Sequence, residues 1–166
     1  VAVALLAKLG YEVVASSGKA DKVDYLKSLG ASSVVGREEL SGENKRPILA
    51  ETWAHAVDTV GGEILSNLIK QLKYGGSVAI CGLVASPSFS TTVMPFILRN
   101  VNVLGIDSVQ LPIAEKRAIW QKLATNWRLS NLDTMTTEVG LANLGGVIEQ
   151  IFKGQITGRT LVNLDK

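Results

Sequence analysis

A chain of 166 residues, 46% of them hydrophobic and 19% charged, is long enough to bury a full core and too apolar to be a disordered tail. Its net charge of +2 is small and evenly spread, so it gives no footprint for nucleic acid or for an anionic membrane surface. One cysteine excludes an internal disulfide and fits a reducing, cytoplasmic setting, and no apolar run reaches the roughly 20 residues of a membrane-spanning helix.

The opening "VAVALLAKLG" has no initiator Met, no N-cap side chain and no acidic first turn, yet it ends as a helix should, with Lys8 in the last turn and Gly10 beyond it. The expectation is a helix over Val1–Leu9 that begins upstream, in a chain that is a piece of something longer. Glu12–Ser16 is a short β-branched strand. Ala20–Leu29 is an amphipathic helix with Val23, Leu26 and Leu29 on one face and Gly30 as its stop. Ser33–Val35 is a very short strand, followed by a polar stretch, Gly36–Pro47, and some helix around Ile48–Trp53. "AHAVDTVGG" places a strand over Ala54–Thr59, and Glu63–Leu72 is a helix with Ile64, Leu65, Leu68, Ile69 and Leu72 inward, stopped by "YGG".

Ser77–Cys81 is another buried strand. A long loop leads to a short helix near Pro95–Arg99, and "VNVLGIDS" is one more strand. Pro112–Trp127 and Leu141–Lys153 are amphipathic helices, and "RTLVNL" is a last strand. Strands and helices alternating at this spacing predict βαβ units on a doubly wound parallel sheet.

The stretch "YEVVASSGKADKVDYLKSLGAS" carries the first functional signal. In dinucleotide-binding folds the tip of the second strand meets the adenosine ribose, and an acid there favours NAD. Here Ser16, Ser17, Gly18 and Lys19 hold that place. With no carboxylate at this tip, two hydroxyls and turn N–H groups can donate to a 2′-phosphate, Lys19 adds charge, and Arg37 at the next strand tip supplies a guanidinium fork. Charge-assisted hydrogen bonds contribute about 1.5–3 kcal/mol each. Two of them, discounted for solvent, would favour NADPH over NADH by about one to three powers of ten. The competing reading is a plain N-cap serine followed by solvated basic residues. The clustering of cations at consecutive strand tips, where open α/β sheets bind ligands, favours the phosphate.

"VAVALLAKLGYEVVASSGK", "YLKSLGAS", "AVDTVGG", "YGGSVAICGL", "TTVMPFILRNVNVLGIDS" and "GQITGRTLV" resemble the C-terminal half of a medium-chain dehydrogenase/reductase. More narrowly, they resemble the zinc-independent quinone oxidoreductase group that includes acrylyl-CoA reductase. The resemblance covers nearly the whole chain and implies a Rossmann-like NADP-binding domain over residues 1–166, lacking its first strand and the glycine-rich turn that would sit immediately before Val1. It implies an NADPH-dependent reductase of an activated C=C bond in a quinone, enone or acyl-CoA thioester. By family pattern Ser17, Gly18, Lys19 and Arg37 would hold the 2′-phosphate. Leu83, Ile97 and Ser108 would line the nicotinamide and ribose side, and Gly154 stands near a position where a relative carries Asn.

No catalytic residue is assigned to this chain. Asp58 before "TVGG" reads as a turn-forming cap rather than a general acid. Cys81 reads as a small core residue. His55 and the single cysteine lack partners at metal-ligand spacing, and Ser86, Ser88 and Ser90 form no nucleophile elbow. Lys116, Arg117 and Lys122 read as a solvated helix face. The alternatives are a non-catalytic NADPH-binding or dimerisation module and, less favoured, a methyltransferase suggested by "LKYGGSVAICG". Three further expectations follow. "VNVLGIDS" pairs with its twin in a homodimer, the strands Glu12–Ser16 and Ala54–Thr59 borrow or receive a displaced strand between them, and the 166-residue chain alone reduces no substrate.

Overall fold

In the computed structural model, which describes residues 1–166, parallel strands are joined through helices along the whole chain. The elements are α1 (Ala2–Lys8), β1 (Val14–Ser17), α2 (Val23–Ser28), β2 (Ser33–Gly36), β3 (Trp53–Asp58), α3 (Gly62–Gln71) and β4 (Leu72–Ile80). They continue as α4 (Met94–Arg99), β5 (Asn102–Gly105), α5 (Ile113–Ala124), β6 (Thr136–Gly140), α6 (Leu144–Phe152) and β7 (Arg159–Asn163). Every strand pair is parallel, but the strands form three groups rather than one continuous sheet: β1–β2, β3–β4–β5 and β6–β7.

The densest packing surrounds α3. Leu65, Ile69 and Leu72 sit against Val78 of β4 and Val101 just before β5, all essentially sealed from solvent, with Trp53, Phe96 and Val103 packed around them. Burial of each such aliphatic side chain contributes about 1.5–3 kcal/mol. The helix passes into β4 without a loop, since Gln71 is its last residue and Leu72 is already extended. Its terminal carbonyls therefore need outside donors. Leu49 N–H donates to the Lys70 carbonyl and Thr52 N–H to that of Gln71. Arg99 reaches in from the end of α4, donating to the carbonyls of Lys70 (3.0 Å), Leu72 (3.4 Å) and Leu49 (2.7 Å) while its Nε pairs with Glu51.

This stapling corrects two expectations. The stretch Ile48–Trp53 is not helical, because its backbone is spent on the end of α3, and Trp53 opens β3. "YGG" is not a helix stop but a bulge inside β4. Trp53 is paired with Leu72 and His55 with Ser77, so Lys73–Gly76 bulge outward, with Gly75 at a φ of +70°.

A second cluster joins α1, α2 and the segment before β6, through Ala4, Leu29, Leu129 and Met135 with Tyr25 beside them. The helix expected over Ala20–Leu29 starts as a 3-10 turn, Ala20–Lys22, before α2. β1 is shifted to Val14–Ser17, and the strand expected over "VNVLGIDS" is confined to Asn102–Gly105. The strand β6 was not expected at all. The borrowed or displaced strand between β1 and β3 is also corrected: neither strand has a partner on that side, and the two sheets keep those edges open. Cross-strand pairing needs a segment with the right alternation and register, and the remaining strands are committed to each other as β6–β7.

Candidate functional site

Parallel pairing brings strand ends to a common level. In β1–β2 the register matches Ser17 with Gly36, the last residue of each. In β3–β4–β5 it matches Asp58 with Ile80 and Ile80 with Gly105, again the last residues. The loops that follow emerge side by side at the carboxyl ends of the strands, where open α/β sheets build their sites.

The β1–β2 tip gathers most of the expected phosphate-side residues. Arg37 begins a short 3-10 turn directly after β2. Its side chain lies across Gly18, so that a Cβ on that glycine would stand 3.3 Å from Arg37 Cδ and 3.5 Å from Nε. Gly18 is thus the residue that lets the guanidinium stem cross the tip. Ser17 is half-buried and its Oγ accepts the Lys19 N–H at 3.1 Å, which holds the turn and leaves the hydroxyl proton free to donate. Arg37 makes no ion pair. Lys19 is otherwise engaged: its Nζ donates to the Ile156 carbonyl at 2.6 Å. That contact ties the "GQITG" loop to the tip and places Gly154, at the exposed end of α6, two residues from Lys19's partner.

Two acids that sequence reasoning passed over also stand here. Glu39 Oε1 accepts the Gly36 N–H at 3.0 Å. Glu38 folds back so that its carboxylate lies against the face of Gly36, in space that a Cβ would otherwise fill. The signal was available in "GREE": residues two and three beyond a strand end, on a tight turn, can reach back to the last strand residue. So the tip of β1 carries no carboxylate, while the neighbouring tip of β2 carries one on its surface.

The other expected residues lie at the β3–β4–β5 end. Leu83 is 63% exposed in the loop after β4, Ile97 is 70% exposed on α4, and Ser108 is exposed after β5. Cys81 N–H donates to the Asp58 carbonyl, Val84 N–H to that of Thr59, and Ala85 N–H to that of Val60, so the loop bearing Leu83 is laced to the one after β3. Gly61, at a φ of +72°, lies so close to the Ser86 carbonyl that a side chain could not be accommodated.

Asp58 is 2% exposed and accepts the N–H groups of Val60 (3.2 Å) and Gly61 (2.8 Å), so it is the turn cap expected of it. Cys81 corrects its reading as a core residue: it is exposed, because β4 ends at Ile80 and the next residue already projects into the loop. His55 shares a hydrogen bond with Ser77 Oγ at 2.9 Å. No group of three or more His, Cys, Asp or Glu side chains is assembled to hold a metal ion. Two surface depressions, of about 420 and 410 Å³, lie around Arg128–Asp133 and beside α3 at Asn67 and Lys70, the second bordered by Gly62 just beyond β3 and by Ser88 and Ser90 of the loop after β4.

Residues 1–125 match the family model described as zinc-binding dehydrogenase. Acrylyl-CoA reductase AcuI of Ruegeria pomeroyi is 44% identical over 165 residues, covering 99% of this chain and 50% of that protein. The crystal structure of Escherichia coli YhdH with bound NADPH superposes with a TM-score of 0.91 at 46% identity, covering 97% of this chain and 49% of that one. Bacillus subtilis YhfP, which carries a provisional quinone oxidoreductase name, was solved with NAD bound. It superposes with a TM-score of 0.94 at 41% identity, covering 98% of this chain and 50% of that one. The chain spans about half the length of the curated relatives it matches. On that match and on the parallel α/β fold, the chain belongs to the zinc-binding dehydrogenase family, in the acrylyl-CoA reductase and quinone oxidoreductase group of the medium-chain dehydrogenase/reductases.

Proposed function

We propose that residues 1–166 form the NADP-binding, Rossmann-like domain of an NADPH-dependent oxidoreductase that reduces an activated C=C bond in a quinone, an enone or an acrylyl-CoA-type thioester. The observation that carries this reading is the joined β1–β2 tip, where Ser17 and Gly18 meet an Arg37 free of ion pairs, in a chain 46% identical to a protein crystallised with NADPH.

The tip fits a phosphate in its donors. Arg37 offers a fork, Ser17 a hydroxyl proton, and Gly18 an approach unobstructed by a side chain. Lys19 adds charge from its tether on Ile156, using donors that this one hydrogen bond leaves free. Bound NADPH would supply a hydride from C4 of its nicotinamide, the chemistry that the cofactor carries. The chain's own part at the other end is to present Leu83, Ile97 and Ser108 beside the nicotinamide and ribose, while Gly154 offers backbone only. Asp58 has its carboxylate committed to two N–H groups, so proton donation is assigned to no residue of this chain.

We also propose a homodimer in which β5 pairs with its twin. β5 has β4 on one side and no strand on the other, and Leu104 and Ile106 are exposed along it. A cytoplasmic setting is proposed because the thiol of Cys81 is free and exposed, which suits a reducing compartment. Incubating the intact protein with NADPH and acrylyl-CoA, or with a quinone, tests the activity. NADPH oxidation above a no-protein blank is expected from the intact protein and not from residues 1–166 alone. Absence of oxidation with every acceptor, in protein shown to be folded, would overturn the reading.

A further inference from the structure

We propose that Glu38 is a specificity-determining residue that restrains the preference for a 2′-phosphate, keeping the adenosine end usable by both NADPH and NADH. The inference rests on the cofactor reading above and goes beyond it, since that reading rests on the cations of the tip and gives no role to its acids.

Glu38 is the second residue after β2, on the same short turn as Arg37. Its carboxylate returns over Gly36, the residue paired in register with Ser17. A side chain at Gly36 would occupy the space in which that carboxylate lies, so the glycine is what allows an acid to rest on the strand tip. Arg37 turns the other way, across Gly18. Consecutive residues thus place a cation over one tip and an anion over the other. Glu38 makes no ion pair with Arg37 or with any other cation, so its charge is not neutralised within the chain.

Glu39, by contrast, is used locally, because its Oε1 takes the Gly36 N–H and so occupies that donor. The two acids therefore act in the same direction. One removes a donor from the tip and the other sets a negative charge beside it. A dianionic phosphate held by Arg37 would feel Glu38 as a like charge in a solvent-exposed setting, where the interaction is moderate and salt-dependent. A ribose with free hydroxyls would feel no such repulsion, and a carboxylate in reach of it can accept their hydrogen bonds.

The test measures dissociation constants of NADPH and NADH for the intact protein and its Glu38→Gln variant, at low and at high salt. Glu38→Gln is expected to tighten NADPH by about three- to tenfold at low salt, with the gain shrinking as salt rises, and to leave NADH unchanged or slightly weaker. Glu39→Gln serves as the control: it can still accept the Gly36 N–H through its amide oxygen and should change the ratio less. If the unmodified protein binds NADPH but Glu38→Gln leaves the ratio of the two affinities where it was, the role of Glu38 is overturned and the cofactor reading stands. If the unmodified protein binds neither nucleotide, both fall together.

Discussion

The β3–β4–β5 sheet with α3 and the β1–β2 pair with its tip are built on the same strand–helix–strand plan, yet they hold their residues in opposite ways. Around α3 the positions are fixed by burial: Ile69 is 0% exposed, and the end of the helix is fastened by four hydrogen bonds from Leu49, Thr52 and Arg99. At the β1–β2 tip the placement rests on single contacts, Ser17 with Lys19, Lys19 with Ile156 and Gly36 with Glu39, on residues that are mostly half-buried or exposed. A region that must admit a ligand cannot spend its polar groups on the core. A region that sets the level of the strand ends cannot leave its own unfastened. On the proposed reading, stability and recognition are carried by different βαβ units of this chain, and substitutions should separate them.

The largest effect is expected in the first region. Ile69→Ala should cost about 2–5 kcal/mol of unfolding free energy, because the site is sealed on every side and a cavity would remain. Urea unfolding followed by circular dichroism would show it, and a loss below about 1 kcal/mol would mean that the packing around α3 is looser than described. Lys19→Ala comes next and probes the second region. Its ammonium is shared with Ile156, so NADPH affinity should fall by roughly three- to tenfold and NADH affinity by less. Equal losses for both nucleotides would show that Lys19 acts through the Ile156 loop rather than through charge. The smallest effect is expected at α6, whose Phe152 is 87% exposed. Phe152→Ala should change stability by no more than about 0.5 kcal/mol in residues 1–166, and a larger loss would reveal packing that the exposure does not show.

Much of this was legible from residue patterns. The 3.6-residue spacing of Leu65, Leu68 and Ile69 identified α3 and its buried face, and "SSGK" with Arg37 identified a tip without an acid of its own. What was not legible has physical reasons. β6 reads Thr-Thr-Glu-Val-Gly, with one large apolar side chain, so no alternation announces it, and its parallel pairing with β7 is what makes it a strand. The start of β4 was hidden because Gly75 and Gly76 signal a stop, whereas here they form a bulge. Ile48–Trp53 was misread because its tie is to Lys70, Gln71 and Arg99, residues distant in sequence. At the tip, charge was read from residue type alone, and the folding of Glu38 onto Gly36 depends on the turn that follows β2.

On the proposed reading, the β1–β2 tip selects a 2′-phosphate through Arg37. The most direct measurement is the ratio of NADH to NADPH dissociation constants for the intact protein and for its Arg37→Ala variant, by calorimetry at one salt concentration. The account predicts that NADPH binds the unmodified protein more tightly, by about tenfold or more, and that Arg37→Ala weakens NADPH by at least about tenfold while leaving NADH nearly unchanged. Equal weakening of both nucleotides, or no preference in the unmodified protein, would contradict it.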